Sequence, residues 1–165
     1  MNSSLFSSRR QSSNQAVQSS AKESAMRLLS RRDHSEHELS QKLSLKGFDH
    51  AAIQTALSYC HQYGYLDDLR YALSVVRQGI NKNHGERKIR QLLQQNRVDE
   101  PLINRALAEL DPDWFELAKQ LAEKKFNQQT KLEPKERAKR VRFLQSRGFS
   151  FEQISYALSS ENSME

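Results

Sequence analysis

Three stretches of the chain share one hydrophobic pattern. FDHAAIQTALSYC (48–60), VDEPLINRALAEL (98–110) and FSFEQISYAL (149–158) recur at a period of about fifty residues. In register, Ile53, Ile103 and Ile154 coincide, as do Ala56, Ala106 and Ala157, and Leu57, Leu107 and Leu158. The spacing i, i+3, i+4 marks one face of a helix. Each segment opens alike. Asp49, Asp99 and Ser150 fit the N-cap, where a short oxygen acceptor takes an orphan N–H of the first turn. Phe48, Val98 and Phe149 precede the caps and the isoleucines fall at N4, which is the hydrophobic staple three times over.

A second helix precedes each of these. Leu43, Leu93 and Leu144 lie five residues before the staple residue. Gly47 and Gly148 suit the left-handed residue that closes a helix. The middle copy carries Arg97 there, so its turn is expected to differ, with Asn96 as the left-handed alternative. Ser35 and Glu38 form a capping box at the start of the first copy. Gly85 stands at the matching place in the second, and Pro134 stands near the start of the third, where a missing N–H costs nothing. A leading helix completes each set. Its stripes are Ala21, Ala25, Leu28 and Leu29; Leu69, Ala72, Leu73, Val76 and Ile80; and Trp114, Leu117, Ala118, Leu121 and Ala122. The pattern predicts an all-α chain of three tandem three-helix repeats, about nine helices stacked into an elongated curved body.

The expected organisation is a Ser-rich tail without regular structure over 1–20, repeats over 21–63, 64–110 and 111–160, and a flexible C-terminus over 161–165. Eight of the first twenty residues are Ser and they show no apolar periodicity, so they bury too little to offset chain entropy. They contain no apolar core of a secretory signal.

GYLDDLRYA (64–72) places two adjacent carboxylates among aromatics. Gly64 closes one helix and Leu69 opens the next. With Asp67 as N-cap, Leu66 and Tyr71 make another staple, and Asp68 complements the helix dipole. LDPDWF (110–115) reads the same way, with Asp111 as cap, Pro112 at N1 and Phe115 at N4. A catalytic carboxylate pair needs environments that push the two pKa values apart, and no third group supplies that here. Among the histidines, His34 with His37, or Cys60 with His61, could ligate a metal, but neither pair has a second pair at zinc-site spacing. The sequence holds no phosphate-binding loop and no nucleophile elbow. Neither catalytic residues nor a cofactor or metal is expected.

Charge supplies the remaining signal. The 165 residues carry 26 Lys and Arg against 20 Asp and Glu, a net charge of +6. The excess is concentrated in two places. Residues 77–97 hold Arg77, Lys82, Arg87, Lys88, Arg90 and Arg97 against the single acid Glu86, and residues 131–147 hold Lys131, Lys135, Arg137, Lys139, Arg140, Arg142 and Arg147 against Glu133 and Glu136. Lys135, Lys139 and Arg142 share one helix face. The candidate partner-binding residues are Arg77, Lys82, Arg87, Lys88, Arg90, Lys135, Lys139, Arg140 and Arg142, meeting phosphates or acidic side chains. One cysteine excludes an intrachain disulfide and suits a reducing cytoplasm. No apolar run approaches the ~20 residues that span a bilayer.

RRDHSEHELSQKL (31–43), GYLDDLRYA (64–72) and GERKIRQLLQQNRV (85–98) together resemble the RecX family of bacterial regulators, and the resemblance covers about residues 22–158. It implies three tandem three-helix units and no enzymatic activity. It also implies cytoplasmic binding to the RecA recombinase and its single-stranded DNA filament, with inhibition of recombination, ATP hydrolysis and co-protease activity in DNA repair and the SOS response. Weak direct nucleic-acid binding, no membrane association and a monomeric state complete these expectations. The competing reading is a sequence-nonspecific helical DNA-binding protein, for which a steep salt dependence on bare DNA is expected.

Overall fold

A computed structural model describes residues 4–126 and 132–159. Its helices are α1 Ser4–Leu29, α2 Glu36–Leu45, α3 His50–Gln62, α4 Asp68–Asn81, α5 Glu86–Gln95, α6 Glu100–Leu110, α7 Trp114–Lys125, α8 Pro134–Ser146 and α9 Phe151–Ser159. No strand occurs among the described residues. They cluster into two compact units, residues 1–71 with 96–98, and residues 72–95 with 99–165. Lys131 and the expected C-terminus at 161–165 lie outside the described residues.

In the first unit α1, α2 and α3 pack on one another. Ala21, Ala25, Leu39, Leu43, Ile53, Ala56, Leu57 and Cys60 form its buried core, with Phe48 partly buried against it. The small alanines of α1 let that helix lie close to α3. In the second unit α7, α8 and α9 repeat the arrangement around Ala118, Leu121, Leu144, Phe149, Ile154 and Leu158. Between these triplets in sequence, Ile89, Leu93, Ile103, Ala106 and Leu107 are buried as well. All nine residues of the Ile, Ala and Leu triads are therefore core.

The ends of the helices show what the local sequence controls. Asp49 Oδ1 accepts from Ala52 N–H at 2.8 Å. Ser150 Oγ accepts from Gln153 N–H at 3.3 Å while Gln153 Oε1 accepts from Ser150 N–H at 2.9 Å, a complete capping box. Asp99 holds the N-cap position of α6 without a side-chain cap bond. Gly47 (φ +91°) and Gly148 (φ +94°) close α2 and α8 in the left-handed region.

Three expectations about ends are corrected. Arg97 itself takes the left-handed conformation, φ +52°, so the middle turn keeps the form of the other two and Asn96 is not its pivot. Asp111 is not an N-cap: it closes α6 at φ +39° and its N–H reaches Leu107 O. The cap of α7 is Asp113, whose carboxylate accepts from Glu116 N–H at 3.0 Å. Trp114 is then the first helical residue. Pro112 lies outside the helix and so does not serve as N1. DPD offers two equivalent caps in sequence, and the left-handed close of α6 consumes the first.

The tail is a further correction. Over Ser4–Ser20 the chain is helical and continuous with α1. The physical reason is that burial and helicity are separate properties. The described side chains between residues 13 and 20 are mostly exposed, and burial starts at Ala21. Yet 4–29 contains neither Gly nor Pro. Once Ala21–Leu29 is nucleated by packing, extension toward the N-terminus adds one hydrogen bond per residue fixed.

Candidate functional site

GYLDDLRYA and RRDHSEHELSQKL are brought together, and they support each other. Asp67 caps α4, accepting from Arg70 N–H at 3.0 Å. Leu66 and Tyr71, the staple pair, are both buried. Asp68 reaches across the fold to accept from Glu36 N–H at 2.8 Å, so it also caps α2. Ser35 Oγ takes the Glu38 N–H of that helix at 3.0 Å. Arg70 donates to Asp33 Oδ1 at 2.9 Å, Gly64 O at 3.0 Å and Tyr65 O at 3.1 Å. A guanidinium with five donors can tie a loop, a carboxylate and a helix start at once. The adjacent acids therefore have separate partners.

A second group lies beside them. Arg32 forms a two-pronged pair with Glu38, and Lys42 Nζ lies 3.5 Å from the same carboxylate. Burial raises the Glu38 pKa, but the Arg32 hydrogen bonds and charge outweigh it and the net shift is downward. His34 is buried, with Nδ1 3.0 Å from Arg32 O and Nε2 3.0 Å from Lys42 Nζ. Lys42 has only donors to offer, so Nε2 accepts and the imidazole is neutral. Burial is the first cause of its lowered pKa. Burial, with Glu38 nearby, pushes the Tyr71 phenol up to about 12. His61 pairs with Glu36 at 3.1 Å, and Cys60 is buried with its thiol pKa raised by burial. No group of three or more His, Cys, Asp or Glu placed to hold a metal occurs among the described residues.

The basic candidates divide. Arg77, Lys82, Arg87, Lys88, Lys135, Lys139 and Arg142 are exposed. Arg90 is committed to the fold, donating to Glu86 at 2.8 Å, Glu100 at 2.9 Å and Asn104 at 2.8 Å. Arg140 is a correction. It is buried, 3.4 Å from Glu136 Oε1 and stacked over the Phe126 ring at 4.8 Å, so it offers no surface to a partner. Helix phase alone does not show this, because a long cationic stem can be drawn inward by one acid and one ring.

Tertiary folding also assembles what sequence order separates. The start of α5 is seated on the turn between α8 and α9. Gly85 N–H donates to Arg147 O at 2.7 Å and Arg87 N–H to Gly148 O at 3.2 Å. A Cβ on Gly85 would lie 2.4 Å from the Gly148 carbonyl carbon, so only glycine allows this approach. Arg147 thereby joins Lys82 and Lys88 around His84, and burial followed by these three cations lowers the His84 pKa. On α8, Lys135, Lys139 and Arg142 do share one surface depression, together with Glu133 and Glu136. Lys139 lies 3.9 Å from Glu136, so this face is less purely basic than the start of α5. Sequence reading also missed a tyrosine cluster. Tyr59, Tyr63 and Tyr65 have ring centroids 4.7–6.5 Å apart, with Lys22 Nζ 4.9 Å above Tyr59. Three tyrosines within seven residues were its visible signal.

Models of the three three-helix domains of RecX match residues 21–60 (first), 67–107 (second) and 111–158 (third). The chain is 58% identical over 148 residues to a regulatory protein RecX of Vibrio campbellii, covering 90% of this chain and 96% of that one. It is 51% identical over 144 residues to that of Vibrio cholerae (87% and 95%) and 40% identical over 152 residues to that of Serratia proteamaculans (79% and 90%). The crystal structure of RecX from Lactobacillus salivarius shares its fold at TM-score 0.77 and 23% identity, over 90% of this chain and 99% of that one. A second RecX crystal structure gives 0.74 at 29% identity (87% and 72%). The repeated staple, the interlocked RRDHSEHELSQKL and GYLDDLRYA segments, and domain matches in order along the chain place this protein in the RecX family.

Proposed function

We propose that this protein is a cytoplasmic regulator that binds the RecA recombinase, above all its single-stranded DNA filament, and inhibits recombination, ATP hydrolysis and co-protease activity. The observation that carries this reading is the 58% identity to a regulatory protein RecX over almost the whole of both chains. The structure adds physical support. The acids that could have suggested catalysis, Asp67 and Asp68, are occupied as helix caps. Exposed cations stand on α4, α5 and α8, suited to acidic protein walls or DNA phosphates. No helix among the described residues is long and apolar enough to cross a membrane.

The test is light scattering of preformed filaments titrated with this protein, with parallel ATP hydrolysis. Saturable binding to filaments and falling hydrolysis are expected. Tight binding to bare DNA with no effect of the recombinase overturns the proposal in favour of a nonspecific DNA-binding protein, which a steep salt slope then identifies.

A further inference from the structure

The second unit carries a groove of about 310 Å³ between α4 and α5. Val75, Gly79 and Ile89 form its buried floor, and Leu92, 45% exposed, supplies its accessible apolar surface. Gly79 is what brings the two helices together, since a Cβ there would lie 2.5 Å from Ile89 Cγ1. Lys82, His84 and Lys88 line the groove too, and no acid does. Arg147 adds a further positive charge close to His84.

Each feature narrows the occupant. The volume takes one or two side chains, well below what a large cofactor fills. The charge excludes a cationic partner. No Phe, Tyr or Trp lines the groove, so it lacks the stacking platform by which single-stranded nucleic acid is held. Gln78, Gln91 and Gln95 offer amide donors and acceptors of the kind a peptide main chain needs. We propose that this groove docks an acidic segment of a partner protein, with one aliphatic side chain seated against Leu92 above the buried Val75 and Ile89 and flanking carboxylates meeting Lys82 and Lys88. The site is defined without reference to the recombinase.

Fluorescence anisotropy of the full chain tests it, with a labelled peptide of about ten residues, Asp and Glu around a central Leu. Saturable binding is expected, weakened about tenfold by Leu→Ser in the peptide, by Leu92→Gln in the protein, and by Lys82→Glu with Lys88→Glu. The Lys135→Glu, Lys139→Glu protein should bind as wild type. Circular dichroism checks each fold, and Leu92→Gln, an exposed position, carries the test if the charge reversals unfold. No binding, or binding indifferent to the central Leu or weakened equally by the α8 reversals, overturns the proposal. Binding of a labelled oligothymidylate that Lys82→Glu with Lys88→Glu abolishes, without peptide binding, reassigns the groove to nucleic acid and overturns it as well. Because no recombinase is present, failure here is separable from failure of the filament assay.

Discussion

Asp67 and Asp68 are neighbours in sequence with different tasks. Asp67 satisfies a donor of its own helix; Asp68 satisfies a donor of α2, thirty-two residues away. Each substitution to Ala should cost about 0.5–2 kcal/mol, measured by urea unfolding, and leave filament inhibition intact in the folded protein. A variant that keeps its stability but loses all inhibition would refute the capping role. The cap at Asp67 is legible from spacing, whereas the reach of Asp68 is not, because nothing local to residue 68 shows which helix start folds beside it. His34 allows a pH prediction. Its folded pKa is depressed below 6.5 by burial, so the folded state resists protonation and the unfolded state does not. The stability it contributes is complete above about pH 6.5 and is lost as pH falls through the folded value. His84 shifts in the same direction. Melting temperature should therefore drop between about pH 7 and pH 5. His34→Gln should be less stable near neutrality and show a shallower drop; an unchanged slope would disprove a titrating His34.

At the level of elements, the i, i+3, i+4 triads identified three core helices because a one-sided apolar stripe on a helix is driven out of water onto its neighbours. Ile53→Ala, Ile103→Ala and Ile154→Ala should each destabilise by about 2–5 kcal/mol in denaturant titrations, since all three are nearly inaccessible. Surface-like tolerance at two of them would break the repeat register. Gly85 is an element-level prediction of another kind. Gly85→Ala should destabilise the second unit by about 1–3 kcal/mol, because the new methyl meets backbone that cannot rotate away. Hydrogen exchange should place the loss at the start of α5 and the α8–α9 turn. Sequence alone marked Gly85 only as the counterpart of Ser35; the close approach of Gly148 is a property of the packed helices.

For the whole molecule, function rests on which charges remain at the surface. Removing charge at Arg87, Lys88, Lys139 and Arg142 together should weaken filament binding without lowering melting temperature, because all four are exposed. The deficit relative to wild type should shrink as salt rises, since screening at a Debye length of about 8 Å already removes much of their attraction. An equal deficit at low and high salt would point to lost contacts in place of steering. The amino-acid sequence by itself determined the helical class, the threefold repeat, the staples and most caps, and it carried enough motif to indicate the family. These depend on interactions three to five residues apart, which order along the chain reports directly. Only the tertiary structure decided that Arg140 turns inward to Glu136 and Phe126, that Asp68 and Arg70 bind the neighbouring helix and loop, and that Arg147 joins Lys82 and Lys88 around His84. Those outcomes depend on which distant groups arrive within a few ångströms, and a long charged side chain follows the nearest partner that folding supplies.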